Sequence, residues 1–369
     1  MSPMMGKKGK YMAKFKKIGV LTSGGDAPGM NAAVRAVTRK ALAEGIEVIG
    51  INGGYAGLLN GDLIPLESHT VSNIVTRGGT ILYSSRCPEF KTPEGMAKAL
   101  QTCKDNDIDA IVAIGGDGTF RGATDLTNHG IPSIGIPATI DNDITATDLT
   151  IGYDTAVNTL LGMIDYLRDT CESHARCNVV EVMGRDCGLV ALYAGICTGA
   201  VSIAIPEVPF DEAAAIKKIA NVRDKGKRGI IVVFSEGMPQ IEGRKYSEYF
   251  AEKVEAQTGI ETKFARVGHI IRGGGPTLRD RMTATQMGVE AVNLLLQGKS
   301  NRVMCVLENK ITNEDINYAL VLDRMCKGKL KDGDLDRFSA DEIASMRARC
   351  AYRQAKIEKL YNMAYEICN

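Results

Sequence analysis

The stretch AIVAIGGDGTFRGATDLTNHGIPSIGIPATIDND, residues 110–143, decides the fold. An apolar run, Ala110 to Ile114, ends in the glycine–acid turn Gly115-Gly116-Asp117-Gly118-Thr119. A helix-like segment, Arg121 to Asn128, follows. A second apolar run, Ser133 to Ile136, then ends in Thr139-Ile140-Asp141-Asn142-Asp143. Strand, helix and strand in that order form a βαβ unit, which implies a parallel sheet. Both strands deliver acids and hydroxyls at their carboxyl ends, where open α/β sheets bind ligands. Carboxylates beside glycines suit magnesium, phosphate and a hydroxyl that must lose its proton.

The pattern repeats outward from this unit. Strand-like runs lie at 17–21, 47–51, 178–182, 201–205, 229–234 and 303–307, with helix-like segments at 31–43, 95–103, 156–168, 211–223, 247–258 and 282–297. The expected fold class is α/β, with two Rossmann-like three-layer α/β/α domains on mainly parallel sheets and the active site between them. A charged helical stretch, Ala340 to about Ile367, reads as a surface or subunit-packing helix.

Composition excludes some functions. The 369 residues carry 45 Lys+Arg and 44 Asp+Glu, a net charge of +1, which argues against a nucleic-acid binder working by bulk charge. Ten cysteines at irregular positions show no metal-like spacing and predict reduced thiols in a cytoplasmic protein. The basic start, 1–16, leads into a short apolar run and a glycine turn, so it reads as a flexible leader rather than an export signal. Cys187 to Pro206 carries no charge. Its glycines, Thr198 and Ser202 favour a buried helix and strand over a membrane span.

Further motifs carry chemistry. Thr22-Ser23-Gly24-Gly25-Asp26-Ala27-Pro28-Gly29 follows the first strand and precedes a helix, where glycines and free N–H groups suit a phosphate oxygen. It is neither a dinucleotide fingerprint nor a Walker A loop, and a tight turn reads it as well. Asp117 could hold magnesium or cap a helix, and Asp141 is a candidate base or part of an Asx-rich turn. Arg86, Arg176, the run Met183-Gly184-Arg185 and the run from His269 to Gly274 supply cations with glycine nearby, suited to paired hydrogen bonds with phosphate. His69 and His129 have no motif around them.

Taken together, the chain resembles 6-phosphofructokinases of the bacterial ATP-dependent type, from Ile18 to about Val321. The motifs in order are TSGGDAPGMNAA (22–33), RGGT (77–80), GGDGT (115–119), TIDND (139–143), VEVMGR (180–185) and GHIIRGG (268–274). NAD and lipid kinases share only GGDGT. The resemblance implies a larger ATP-binding domain at 17–152 plus about 271–321, and a smaller fructose 6-phosphate-binding domain at 153–270 plus about 322–369. It implies MgATP bound by Gly25, Tyr55 (an aromatic flanking the adenine), Arg86, Cys87, Gly116, Asp117, Gly118 and Thr119, with Asp117 as the magnesium ligand. Asp141 is implied as base, with Thr139, Asp143, Gly25 and Arg185 assisting at the reacting phosphate. Sugar and 6-phosphate contacts are implied for Ile140, Arg176, Met183, Gly184, Glu236, Lys263, His269 and Arg272. Arg176 and Lys263 cross from a neighbouring subunit in the family, which implies a homotetramer.

Three departures bear on this. Ala138 stands where the ATP enzymes have glycine; pyrophosphate-dependent relatives carry lysine there and aspartate at the place of Gly118, so ATP is favoured and pyrophosphate or mixed donor use is the alternative. Lys263 stands for an arginine. At the effector site Arg35, Arg39, Arg168, Lys225, Lys227 and Arg228 match basic positions, but Ser68, Asn73, Val201 and Gly229 replace an arginine, an aspartate, a metal-binding glutamate and a histidine. The expectation is weak or absent ADP activation. A catalytically silent regulatory subunit is disfavoured by intact Asp117, Asp141 and Arg185.

Overall fold

The computed structural model describes residues 15–367. Numbered along the chain, strands β1 (Lys17–Ser23), β2 (Glu47–Ile51), β3 (Leu63–Pro65), β4 (Ala110–Gly115), β5 (Ser133–Pro137), β10 (Arg302–Leu307) and β11 (Lys310–Asp315) form one sheet in the order β11-β10-β5-β4-β1-β2-β3. Strands β6 (Cys177–Val182), β7 (Ser202–Ala204), β8 (Ile230–Ser235) and β9 (Thr262–Val267) form a second, ordered β7-β8-β6-β9. All pairings are parallel except β2 with β3 and β10 with β11. The helices are α1 (Met30–Ala43), α2 (Tyr55–Asn60), α3 (Pro93–Asp105), α4 (Asp117–Asn128), α5 (Tyr153–His174), α6 (Leu189–Cys197), α7 (Glu212–Asp224), α8 (Tyr246–Thr258), α9 (Leu278–Leu296), α10 (Ile316–Cys326) and α11 (Ala340–Ile367).

The central strands β4, β5, β6 and β8 are buried along their whole length, as parallel strands covered on both faces must be. That is why they read as continuous apolar runs. One buried apolar cluster joins the two sheets, from Val20, Val112 and Ile134 to Val180 and Val233. Two more cover the outer faces of the larger and smaller sheets.

Register decides what meets. Ser23 pairs with Gly115, and Gly115 with Pro137, so β1, β4 and β5 end level. Val182 pairs with Ser235 and Val267, so β6, β8 and β9 also end level. A buried carboxylate joins the bodies: Asp280 of α9 accepts bonds from the Gly152 and Thr155 amides, at 2.9 and 2.8 Å, at the start of α5. Burial pushes its carboxyl above the usual range, and the hydrogen bonds pull it back.

Some expectations change. Cys326 and Cys350 form a disulfide with Cα atoms 5.1 Å apart, so these two are not the reduced thiols expected. Helix α11 folds back along α10, bringing together residues that spacing alone did not pair. Phe15, placed in the leader, is buried, and the Lys16 amide donates to Asp109. The rest of the leader, 1–14, lies outside the described residues. Helix α10, cut in two by the expected boundary at 321, packs on α4 and β11, while α11 touches both α10 and α6. The uncharged stretch resolves into α6 and β7, and among the described residues no helix is long and apolar enough to cross a membrane.

Candidate active site

Three loops leave the level ends of β1, β4 and β5. The Thr119 hydroxyl donates to the Ser23 carbonyl at 3.1 Å and ties the first loop to the second. The loop over them, 77–87, is stapled by buried Asn31, which donates to the Arg77 and Gly78 carbonyls and accepts the Ile81 amide at 2.7 Å. Thr22 adds a bond to the Tyr83 carbonyl, and Ser84 donates to that of Gly24.

A Cβ built on Gly116 or Gly118 would meet nothing within 4 Å. These glycines are therefore not required by protein packing, and they leave open space at the N-terminus of α4. The uncapped amides there suit a phosphate. Asp117 lies in the first turn of α4, paired with Arg121. Burial raises its carboxyl, Arg121 opposes that, and Asp323 adds to it. Gly25 has a different reason: a Cβ there would come within 2.8 Å of Arg272 Nη1.

In the third loop Asp141 is 2 % exposed. The Thr139 hydroxyl donates to its Oδ2 at 3.3 Å, whereas Oδ1 is buried with no hydrogen-bond partner. Such an acceptor costs about 1–3 kcal/mol. Burial first, then neighbouring Asp143, pushes the Asp141 carboxyl up to about 6, against the pull of Arg272, Arg185 and Thr139. The site thus holds a carboxylate with one unpartnered oxygen and a carboxyl raised to about 6.

The second sheet presents the opposing face. Arg185 follows β6 with a left-handed φ of 52°, and Gly184 has φ 144°. Their amides donate to Glu236 Oε1 at 2.9 and 3.1 Å, so Glu236 fixes this turn and keeps Oε2 for another partner. The Arg185 side chain is 68 % exposed, and its guanidinium stands 3.9 Å from Asp143. Met183, directly after the same strand, is buried. His269 and Arg272 lie on a 3-10 turn after β9, and Arg272 donates to the Asp26 carbonyl at 3.2 Å, linking the second sheet's loop to the first loop.

The remaining expected residues fall elsewhere. Arg176 and Lys263 stand at the opposite end of the smaller sheet, where both bind Glu261, at 2.7 and 3.0 Å. Along β6, at ~3.3 Å per residue, Arg176 lies roughly 20 Å from Met183. Tyr55 presents no open ring to a base: it is 5 % exposed, stacked on Phe90 at 4.2 Å, with its hydroxyl donated to the Thr119 carbonyl at 2.6 Å. Its place is therefore behind the 115–119 loop, holding α2 against α4. Arg86 is exposed and half-buried Cys87 precedes the 3-10 turn at Pro88–Lys91. Arg35 and Arg39 ride on α1, and Arg39 donates to the Ser68 carbonyl. Arg168 donates to the Thr198 carbonyl and Arg228 to those of Glu172 and Ser173, near the end of α5. Lys225 caps α7, and Lys227 bonds through its amide to Val222.

Sequence reasoning missed two supports. Lys327, just past α10, stands 3.6 Å from Asp143 and 2.8 Å from Asp323. Burial lowers its proton affinity, but Asp143 and Asp323 more than restore it. Asp323 also accepts the Thr145 hydroxyl at 2.8 Å. Arg353 of α11 reaches the Asn142 carbonyl. No motif marks either one, because each acts from a helix remote in sequence.

The profile of the family described as Phosphofructokinase matches residues 17–295. ATP-dependent 6-phosphofructokinase 1 of Clostridium perfringens is 52% identical over 310 residues, which cover 84% of this chain and 95% of that protein. ATP-dependent 6-phosphofructokinase of Bacillus subtilis is 49% identical over 302 residues, covering 82% and 93%. The solved phosphofructokinase of Saccharomyces cerevisiae superposes with a TM-score of 0.82 at 33% identity, over 95% of this chain; this chain spans half of that one, 50%. The family match, 17–295, takes in the glycine loops, the TIDND acids and the MGR turn whose geometry is given above. The chain belongs to the phosphofructokinase family.

Proposed function

We propose that this chain phosphorylates fructose 6-phosphate with ATP, as an ATP-dependent 6-phosphofructokinase of glycolysis. The observation that carries the reading is Asp141: buried, one oxygen unpartnered, its carboxyl near 6, and faced across the two sheets by Arg185 and Arg272. The C1 hydroxyl oxygen of the sugar attacks the γ-phosphorus of ATP. Its proton passes to Asp141, the bond from the γ-phosphorus to the bridging oxygen breaks, and ADP leaves. Such proton transfer contributes about 10²–10⁴-fold, with positioning and charge neutralisation supplying the larger part.

Gly25, Gly116, Gly118, Thr119 and the α4 N-terminus cradle the phosphates, with Arg86 and Cys87 at the nucleotide's edge. Thr139, Gly25, Arg185 and Asp143 surround the transferring group. Ile140, Met183, Gly184, Glu236, His269 and Arg272 line the sugar. Asp117 would hold magnesium. Among the described residues there is no group of three metal-binding side chains. That donor set fits an ion bound by one or two carboxylates plus the nucleotide's own phosphates. Magnesium, when bound, neutralises charge on the β- and γ-phosphates.

Arg176 and Lys263 reach the 6-phosphate only from a second copy, so the reading includes a homotetramer with shared sites in the cytoplasm. The larger domain spans 17–152 and 271–326, the smaller 153–270, and α11 crosses both. Arg168 and Arg228 are spent on backbone carbonyls, which with Val201 and Gly229 supports weak or absent ADP activation. Ala138 is 1 % exposed and carries no charge, which leaves ATP as donor. A coupled assay with each donor tests this: turnover with ATP and little with pyrophosphate is expected, and equal or faster rates with pyrophosphate overturn it.

A further inference from the structure

The turn that carries the proposed base is held from outside the family-matched region. Asn142, between Asp141 and Asp143, is left-handed with φ 50°. Its side chain is tied at both ends: Nδ2 donates to the Asp148 carbonyl, and Oδ1 accepts the Thr150 amide at 2.9 Å. Its own carbonyl accepts from Arg353 Nη2 at 2.9 Å. That carbonyl belongs to the peptide joining Asn142 to Asp143, so holding it fixes the plane of the peptide between the two acids. The same nitrogen lies 3.7 Å from Cys187 Sγ, in the loop that carries Arg185. One guanidinium therefore touches both the acid turn of the larger sheet and the arginine turn of the smaller.

Helix α11 is firmly seated. Met346, Ile357 and Ala364 are buried, Cys350 is bonded to Cys326, and Gln354 donates to the Glu207 carbonyl at 3.2 Å. Arg353 lies beyond residue 295, where the family match ends. The family resemblance therefore gives no role to it.

We propose that Arg353 is a positioning residue for phosphoryl transfer, registering the Asp141–Asp143 turn against the Arg185 loop. This rests on Asp141 being the base. Displacement of reacting groups by about 1 Å costs up to about 10²-fold. The full-length Arg353→Met enzyme, assayed with fructose 6-phosphate and MgATP, is expected to lose about 30–100-fold in kcat, with both KM values within about 3-fold. Arg353→Lys keeps a cation that can reach the carbonyl and should recover part of that loss. Arg349→Met is the matched control. It removes a guanidinium one turn away on α11 that serves the Ala146 carbonyl and Glu314. It should lower the thermal midpoint like Arg353→Met yet hold kcat within about 2-fold.

Arg353→Met with unchanged kcat overturns the proposal, and so does an equal kcat loss in Arg349→Met, which would mean general loosening of α11. If Arg353→Met does not accumulate folded, Arg353→Lys decides: a several-fold kcat loss supports the role and an unchanged kcat overturns it. Asp141→Asn separates the two layers. If Asp141→Asn is inactive while Arg353→Met is normal, only the positioning role falls; if Asp141→Asn turns over at the parent rate, the base assignment falls and the positioning role with it.

Discussion

The two ends of β6 each carry an arginine, and the two are in opposite states. Arg185, after the C-terminal end, is held by its backbone, while its side chain is exposed and approaches Asp143 no closer than 3.9 Å. Arg176, before the N-terminal end, is only 28 % exposed and already paired with Glu261. Hydrogen bonds from Arg176 and then Lys263 hold the Glu261 carboxyl down at about 2. Strand polarity explains the first state: loops from parallel strands converge where the strands end. The second state is a cluster of two cations on one carboxylate, an excess positive charge that faces away from its own chain's site. On the proposed reading, the difference means that one copy of this chain contains the chemistry and lacks part of the phosphate grip.

The sharpest way to break that comparison is at the chemical end. Asp141→Asn should cost about 10²–10⁴-fold in kcat, measured by coupled assay. With its carboxyl near 6 and its ionised form as the proposed base, kcat/KM of the parent enzyme should fall as pH drops through about 6. The stability sign runs the other way. A carboxyl raised from 3.8 to about 6 favours the folded state while protonated, and that benefit is lost as pH rises through 6. At pH 7.5 Asp141→Asn should therefore raise stability by about 1–3 kcal/mol, read as a higher thermal midpoint. An inactive variant with a lower midpoint would show that Asp141 holds the loop together instead of being strained within it.

The other end is broken by Arg176→Ala. Loss of a charge-assisted phosphate contact should raise KM for fructose 6-phosphate about 10-fold or more while kcat stays within a few-fold. Mixing matters more than the single variant. In co-assembled Arg176→Ala and Asp141→Asn chains, the proposed shared site lets a site with intact Asp141 borrow Arg176 from its neighbour. A fraction of sites with parental KM is expected. Mixed assemblies that show only the raised KM would place Arg176 outside the shared site.

How much of this was legible beforehand follows from burial. Strands β4, β5, β6 and β8 are covered on both faces, so their sequences are unbroken apolar runs and their ends, with the acids and glycines, could be placed directly. Strand β9 is an edge strand buried only at Thr262 and Val267, and β11 has Ile311 as its one apolar residue, so neither shows an apolar run. Asp117, Asp141 and Arg185 were readable because each sits in a short motif at a strand end. Lys327 and Arg353 were not, since a lysine just past a helix, or an arginine on a charged one, has the same local sequence whether it faces water or the 139–143 turn. Tyr55 was misplaced for a related reason: a motif position fixes a neighbourhood, not which way a ring faces once Phe90 stacks on it. The disulfide depends on where α11 lies, which the irregular cysteine spacing does not encode.

The smallest expected effect sharpens the comparison rather than breaking it. Lys263 offers a point charge where a planar fork would make two parallel bonds to phosphate. Lys263→Arg should lower KM for fructose 6-phosphate by about 3–5-fold, with kcat unchanged. Glu261 competes for the same fork, since it already accepts Lys263 at 3.0 Å. Glu261→Gln in the Lys263→Arg background should therefore lower KM further, because the arginine is released to the phosphate while an amide still accepts Arg176. If Lys263→Arg raises KM in both backgrounds, the residue is a brace for the edge of β9, and Arg176 alone forms the grip from the neighbouring chain.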